Sequence, residues 1–121
     1  MSLQDAFIRA ESEGWAVPHF NFSDALTLRA ICKSAQRLKS PVLAGLSEGE
    51  RDFFGLRHAV SLVRIFREEY QIPLWLNADH TKSVEKAKQA IDAGFDSIHI
   101  DLSQMPYQKN SAGTREIVKY A

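Results

Sequence analysis

The sequence has a single cysteine, Cys32, among its 121 residues, which excludes an intrachain disulfide and a zinc site built from cysteines. It also has no excess of charge of one sign, because 15 Lys and Arg residues offset 15 Asp and Glu residues. A zero balance provides no electrostatic basis for binding nucleic acid or an anionic membrane. No apolar run of about 18 residues is present, so no transmembrane helix is predicted. The amphipathic N-terminus lacks the apolar core of a signal peptide, and these absences together predict a cytoplasmic protein.

Apolar residues make up 45% of the chain and charged residues 25%, which is typical of a soluble globular protein and excludes a disordered or low-complexity chain. The length corresponds to one domain. Apolar residues recur at three- and four-residue steps, as in amphipathic helices. The pattern predicts helices over residues 3–13, 24–38, 56–70, 84–93 and 112–121. Ser23 and Ser83 are predicted helix N-caps, and Gly94 is a predicted C-cap.

Short apolar runs lie between these helices and predict four strands, over residues 16–20, 42–46, 74–78 and 97–100. The runs are nearly continuous, as expected of strands that are covered on both faces. Their starts are about 23 to 32 residues apart, which is the length of one βα unit, so the strands are predicted to be parallel. Four such units, preceded by a helix, fit either a small open sheet or half of an eight-unit barrel.

Polar residues follow all four predicted strands. In parallel α/β proteins the carboxyl ends of the strands collect the chemistry, because the loops converge there and helix N-termini point inward. The residues at these ends are Asn21, the run SEGE at 47–50, the run NADH at 77–80, and the run DLS at 101–103. Structural interpretations stay open for them: capping by Asn21 and Ser23, a plain loop at 47–49, an N-cap at Asp79, and a surface position for His80.

Asp79, His80 and Asp101 are expected to face one another from adjacent strands. Imidazole and carboxylate ligands suit Zn²⁺ or a similar divalent ion, and a neighbouring carboxylate suits proton transfer. A carboxylate such as Asp101 is costly to bury unless it is paired or bound to a metal. These three residues do not complete a zinc ligand set. His19 and His99 lie inside predicted strands and are predicted to be packing residues.

The ordered segments VPHFN, SPVLAGLSEGE, PLWLNADH, AGFDSIHIDLS, MPYQKN and TREIVKYA resemble the N-terminal half of the class II, metal-dependent ketose-bisphosphate aldolases. The resemblance extends from about residue 15 to residue 121. It implies that residues 1–121 form about four βα units of a (β/α)₈ TIM barrel, with the remaining half of the barrel missing.

The same resemblance implies a role for each site residue. Asp79 matches the catalytic acid/base that exchanges a proton with the C4 hydroxyl of the sugar. His80 matches the first ligand of the catalytic zinc, and Asp101 matches a ligand of a second, more loosely held divalent or monovalent cation. Ser47 matches a residue that contacts the glyceraldehyde 3-phosphate half of the substrate, and Asn21 matches an asparagine near the substrate.

The implied reaction is the reversible cleavage of a ketose 1,6-bisphosphate to glycerone phosphate and glyceraldehyde 3-phosphate. Zinc acts in it as a Lewis acid and no lysine Schiff base is needed. The implied partner is therefore a phosphorylated sugar, and not nucleic acid or a membrane. Fructose and tagatose bisphosphates stay open as substrates, and the resemblance implies a homo-oligomer.

Three hypotheses follow. The first is a piece of a class II aldolase that is inactive, or nearly so, without its C-terminal half. The second is a non-catalytic half-barrel that associates with itself or with a partner chain, since an open sheet leaves strand edges and apolar faces uncovered. The third, a small flavodoxin-like module that binds metal or phosphate, is the least favoured because the chain has no Gly-rich phosphate loop.

Overall fold

Four parallel strands form one sheet in the order β1-β2-β3-β4, and a computed structural model describes the whole chain, residues 1–121. The strands are β1 (His19–Asn21), β2 (Val42–Leu46), β3 (Leu74–Thr81) and β4 (Ser97–Ile100). The helices are α1 (Leu3–Glu13), α2 (Ala25–Leu38), α3 (Glu48–Phe54), α4 (Leu56–Tyr70), α5 (Val84–Ala93) and α6 (Tyr107–Tyr120). The predicted α/β class, with four parallel βα units preceded by a helix, is confirmed.

Helix caps account for several of these boundaries. The Ser83 side chain accepts a hydrogen bond from the N–H of Lys86, and Gly94 ends α5 in the left-handed conformation, so both predicted caps are confirmed. The predicted N-cap at Ser23 is wrong. Asp24 caps α2 instead, by accepting a hydrogen bond from the N–H of Thr27.

Other boundaries differ from the prediction. β1 comprises residues 19–21 instead of 16–20, and α6 begins at residue 107 instead of 112, because Pro106 starts a helix whose first turns carry no apolar stripe. The short helix α3 was not predicted. Ser47 and Glu50 form a capping box at its start, so the stretch that sequence allowed as a plain loop is helical.

The sheet has one face packed on the helices. Alternate residues of β2 and β3 contact α2 and α4 in a core of 17 buried residues. The residues between them, on the opposite face of the sheet, form a smaller buried cluster at its amino end, where Leu43 and Trp75 pack against Ala6 of α1. The larger core includes Ala44, Leu46, Leu74, Leu76 and Ala78 from the strands, and Leu28, Cys32, Val63 and Phe66 from the helices.

Toward the carboxyl ends, this second face of the sheet becomes polar and open. His19 and His99 lie on it and are both exposed, so the prediction that they are packing residues is wrong. The error has a physical origin: a strand residue alternates between faces, and no helix covers the second face at this level. None of the helices is long and apolar enough to cross a membrane.

Candidate active site

The carboxylate of Asp79, near the end of β3, lies at the centre of the polar face. The amide of Asn21 donates a hydrogen bond of 3.0 Å to Asp79 Oδ2, and His99 Nδ1 lies 3.4 Å from Oδ1. Burial of the carboxyl group opposes its ionisation, but the hydrogen bonds from Asn21 and His99 outweigh it and hold the pKa of Asp79 below its ordinary value. Asp79 is therefore an ionised, oriented carboxylate at neutral pH.

His80 is oriented by a second carboxylate. Its Nδ1 lies 2.7 Å from Asp101 Oδ2, and the backbone N–H of Ser103 donates to Asp101 Oδ1 at 3.2 Å. The hydrogen bonds from Ser103 and His80 hold the pKa of Asp101 well below its usual range, so Asp101 acts as an acceptor. Nδ1 of His80 then carries the proton, which assigns the lone pair to Nε2. A histidine held in this way by a carboxylate is the usual arrangement of a metal ligand.

An irregular backbone brings Asp79 and His80 to the same place. In a regular strand, consecutive side chains point to opposite faces of the sheet. Here the pairing of β3 with β4 shifts register between Ala78 and Thr81, and His80 has a φ of 44°, in the left-handed region that non-glycine residues rarely adopt. The bulge therefore lets two adjacent residues contribute to one site.

One oxygen of Asp79 and one ring nitrogen each of His80 and His99 lie within 4.8 Å of one another. The centroids of the His80 and His99 imidazole rings are 4.4 Å apart. Two imidazole nitrogens are donors that suit Zn²⁺, and the oxygen of Asp79 lies beside them. His80 and His99 therefore fit a divalent metal, although they leave its coordination incomplete.

The structure thus brings Asp79 and His80 together, as expected, and adds His99, which the sequence analysis assigned to packing. Asp101 contacts Nδ1 of His80 and is not a member of the three-residue cluster. Strand parity is the signal that could have identified His99, because Ser97 and His99 occupy the same face of β4 and Ser97 pairs with Asn77 of β3.

Ser47 lies at the end of β2, with its side chain at the start of α3. Its hydroxyl accepts a hydrogen bond from the N–H of Glu50 and donates one of 2.9 Å to Glu50 Oε2. The hydroxyl of Ser23 donates to the other oxygen of Glu50 at 2.7 Å. Glu50 therefore links the loop after β1 to the end of β2. Ser47 therefore caps a helix and does not lie in the plain loop that was left open for residues 47–49, and its contact with substrate stays a prediction.

Arg51 of α3 lies beside the candidate site and was not predicted from the sequence. It is 3% exposed, and its guanidinium donates hydrogen bonds to the carbonyls of Leu46 and Asp79 and to the hydroxyl of Thr81. It joins the carboxyl ends of β2 and β3. Only the helical structure of residues 48–54 places it there.

A parallel β/α sheet with an ionised carboxylate and an oriented imidazole at its carboxyl edge is similar to part of a TIM barrel, in which active-site residues collect at that edge. The comparison with known proteins agrees. The family model for "Fructose-bisphosphate aldolase class-II" matches residues 1–121. The chain belongs to the class II fructose-bisphosphate aldolase family, as its resemblance predicted.

Individual relatives extend this finding. The chain is 36% identical over 124 aligned residues to a fructose-bisphosphate aldolase of Staphylococcus aureus, covering 100% of this chain and 43% of the relative. It is 39% identical to a 6-phospho-5-dehydro-2-deoxy-D-gluconate aldolase of Bacillus licheniformis, covering 100% of this chain and 42% of the relative. The crystal structure of the YdjI aldolase from Escherichia coli K12 superposes with a TM-score of 0.88 at 22% identity, over 99% of this chain and 47% of that one.

The chain therefore spans less than half the length of the relatives that it matches. At 22% identity, the structural similarity shows the fold alone. It confirms the predicted partial TIM barrel of about four βα units.

Proposed function

We propose that this chain forms the N-terminal half of a zinc-dependent aldolase, which cleaves a ketose 1,6-bisphosphate reversibly to glycerone phosphate and glyceraldehyde 3-phosphate. The observation that carries the proposal is the bulge in β3, which places an ionised carboxylate and an oriented imidazole side by side. The relatives named as aldolases of phosphorylated sugars support the class of substrate.

In this proposal Asp79 moves the proton. The ionised carboxylate accepts the proton of the C4 hydroxyl as the carbon–carbon bond breaks, and returns it in the condensation direction. General base catalysis of this kind contributes about 10²–10⁴-fold. Asn21 holds Oδ2 of Asp79 at 3.0 Å, so the carboxylate meets the substrate in a fixed orientation.

His80 would hold the zinc through Nε2, since Asp101 occupies Nδ1. When bound, the zinc supplies Lewis-acid stabilisation of the negative charge that develops on the substrate. His99 lies close enough to contribute a further ligand, and Asp101 is the proposed ligand of a second, weaker cation. Ser47, at the end of β2, is proposed to contact the phosphorylated aldehyde half of the substrate.

Two variants of the complete natural protein test these assignments. Asp79→Ala should abolish turnover and keep the bound zinc, whereas His80→Ala should lower the zinc content. His58→Ala is the matched control, because His58 is an exposed histidine on α4 whose Nδ1 lies 3.2 Å from the carbonyl of Phe54 at the end of α3, and it should change neither property. Unchanged zinc together with full activity in His80→Ala would show that the site is assigned wrongly.

The 121-residue chain alone should bind zinc weakly and have little or no aldolase activity, because its ligands do not complete a zinc site. The assay is aldol cleavage with and without a chelator, on the chain and on the complete protein. Full activity of the isolated chain would contradict the proposal that a second half-barrel completes the site.

A second candidate role is a half-barrel that associates with itself or with a partner chain. A groove of about 370 Å³ between β1 and α2 favours it, since the groove is lined by apolar residues that include Phe20, Ile31 and Leu38. Phe20 and Leu38 are largely exposed. Sedimentation analysis of the isolated chain should show association, and a well-folded monomer would contradict this role.

A further inference from the structure

Arg51 is a buried cation without a carboxylate partner. Its side chain is 3% exposed, yet its three hydrogen bonds go to neutral oxygens: Leu46 O, Asp79 O at 3.0 Å, and Thr81 Oγ1 at 2.9 Å. The carboxylates of Glu48, Asp52 and Asp79 interact with its charge but do not hydrogen-bond to it. Burying a guanidinium without a direct ion pair is costly, so Arg51 requires a specific explanation.

Two of its acceptors flank His80. The Asp79 carbonyl belongs to the peptide bond that leads into His80, and the Thr81 hydroxyl belongs to the next residue. Between them, His80 has the uncommon φ of 44°. Thr81 also donates to the Ala78 carbonyl at 3.3 Å, which extends the connection across the bulge. A non-glycine residue keeps such a backbone conformation only where its surroundings enforce it.

We propose that Arg51 is a positioning residue: its guanidinium holds the left-handed backbone at His80 and so keeps the imidazole oriented for metal binding. The inference rests on the proposed function, because it assumes that His80 is a metal ligand. The planar guanidinium is suited to this task, since Nη1 reaches two carbonyls while Nη2 reaches the hydroxyl. The ammonium of a lysine is a point donor and cannot reproduce this geometry.

The charge of Arg51 and its hydrogen-bond geometry predict opposite changes in metal affinity when Arg51 is removed. A positive charge near the site repels a bound cation, so a variant without it should bind metal more tightly if charge alone matters. If Arg51 acts by positioning His80, the same variant should bind metal more weakly. A higher metal affinity in the variant would therefore indicate a charge effect, and a lower affinity would indicate that Arg51 positions His80.

Arg67→Met is the matched control for Arg51→Met. Arg67 also donates to a carbonyl of β3, that of Leu74, but it lies at the amino end of the strand and is paired with Asp96. In the complete natural protein, Zn²⁺ affinity is measured by competition with a chromogenic chelator. We expect Arg51→Met to bind zinc about 10-fold or more weakly, as for other residues that orient a metal ligand. Arg67→Met should bind it as the wild type does.

Thr81 provides a second pair of variants that keeps the test valid if Arg51→Met fails to fold. Thr81→Val removes an acceptor of Arg51 and should weaken zinc binding, whereas Thr81→Ser keeps the hydroxyl and should restore it. Equal or tighter zinc binding in Arg51→Met, or in Thr81→Val when the arginine variant does not fold, would overturn the inference.

A metal-free measurement separates this inference from the proposed function. If His80→Ala binds zinc as well as the wild type, the proposed metal site is wrong. The role of Arg51 is then judged from the NMR signal of the His80 Nδ1 proton, which the hydrogen bond to Asp101 protects. Loss of that signal in Arg51→Met, but not in Arg67→Met, supports positioning, and its persistence in both overturns it.

Discussion

Adding one methyl group at Gly45 of β2 should displace two side chains of the candidate site. A Cβ built at Gly45 lies 2.5 Å from Asn21 Oδ1 and 2.7 Å from His19 Cε1, which is closer than real contacts allow. The backbone at Gly45 is outside the left-handed region, so only the lack of space opposes alanine. Gly45→Ala should therefore move Asn21 away from Asp79 and His19 away from Asn77.

The cost in stability should nevertheless be small, because both displaced side chains are exposed and can rotate into open space. Each lost hydrogen bond lowers the free energy of unfolding by about 0.5–1.5 kcal/mol. Alanine raises it by about 0.4–1 kcal/mol, because it restricts the conformations of the unfolded chain. The free energy of unfolding should therefore fall by no more than about 2.6 kcal/mol. The site should change much more than the fold.

Urea denaturation and the NMR signal of the Asn21 side-chain amide measure the two effects. Gly49→Ala is the control, since Gly49 is an exposed residue of α3 with nothing within 4 Å of the added Cβ. It should stabilise the protein by about 0.4–1 kcal/mol and leave the Asn21 signal in place. An unchanged Asn21 signal in Gly45→Ala would contradict the predicted displacement, because the methyl group and Asn21 cannot occupy the same space.

Three further predictions concern the core, the cysteine and a helix cap. Leu76→Ala should lower the free energy of unfolding by about 2–5 kcal/mol, because Leu76 is fully buried. Leu26→Ala, at an exposed position, should change it by less than about 0.5 kcal/mol. Equal urea midpoints of the two variants would contradict the assigned core. Burial raises the pKa of the Cys32 thiol to about 11, and the charge of Glu69 adds to this. A thiol reagent at pH 8 should therefore label Cys32 only in the unfolded protein. Immediate labelling of the native protein would contradict this prediction. The hydrogen bond from the Thr27 N–H lowers the pKa of Asp24 in the folded protein. The charged carboxylate therefore stabilises the fold at pH values above the ordinary pKa of about 3.9, and this stabilisation is lost as the pH falls through the folded-state pKa. Asp24→Asn should therefore be less stable than the wild type at neutral pH and equal to it in acid, and a constant difference in urea midpoint would refute this.

The sequence predicted the fold where its signals were local and repeated. Strands β2 and β4 match their apolar runs, and the cap residues Ser83 and Gly94 fall where the end of the pattern placed them. The short helix α3 was missed because its capping signal lies within a polar run that also fits a loop. Its seven residues also carry too little periodicity to be recognised.

The candidate site could be predicted only in part. Asp79 and His80 were selected as candidates because an unusual pair of polar residues follows an apolar run. The contribution of His99 depends on which face of β4 is left open, and that of Arg51 depends on α3 crossing the ends of two strands. The bulge at His80 is a property of the assembled sheet, since it arises from the pairing of β3 with β4. No spacing along the chain encodes it.

The most direct test of the proposed metal site is a crystal structure of the complete natural protein with zinc, in which anomalous scattering locates the ion. We expect zinc about 2.0–2.1 Å from Nε2 of His80. The carboxylate of Asp79 should lie beside it, and Nδ1 of His80 should remain bonded to Asp101. Zinc bound elsewhere, with no contact to His80, would contradict the assignment of His80 as a zinc ligand.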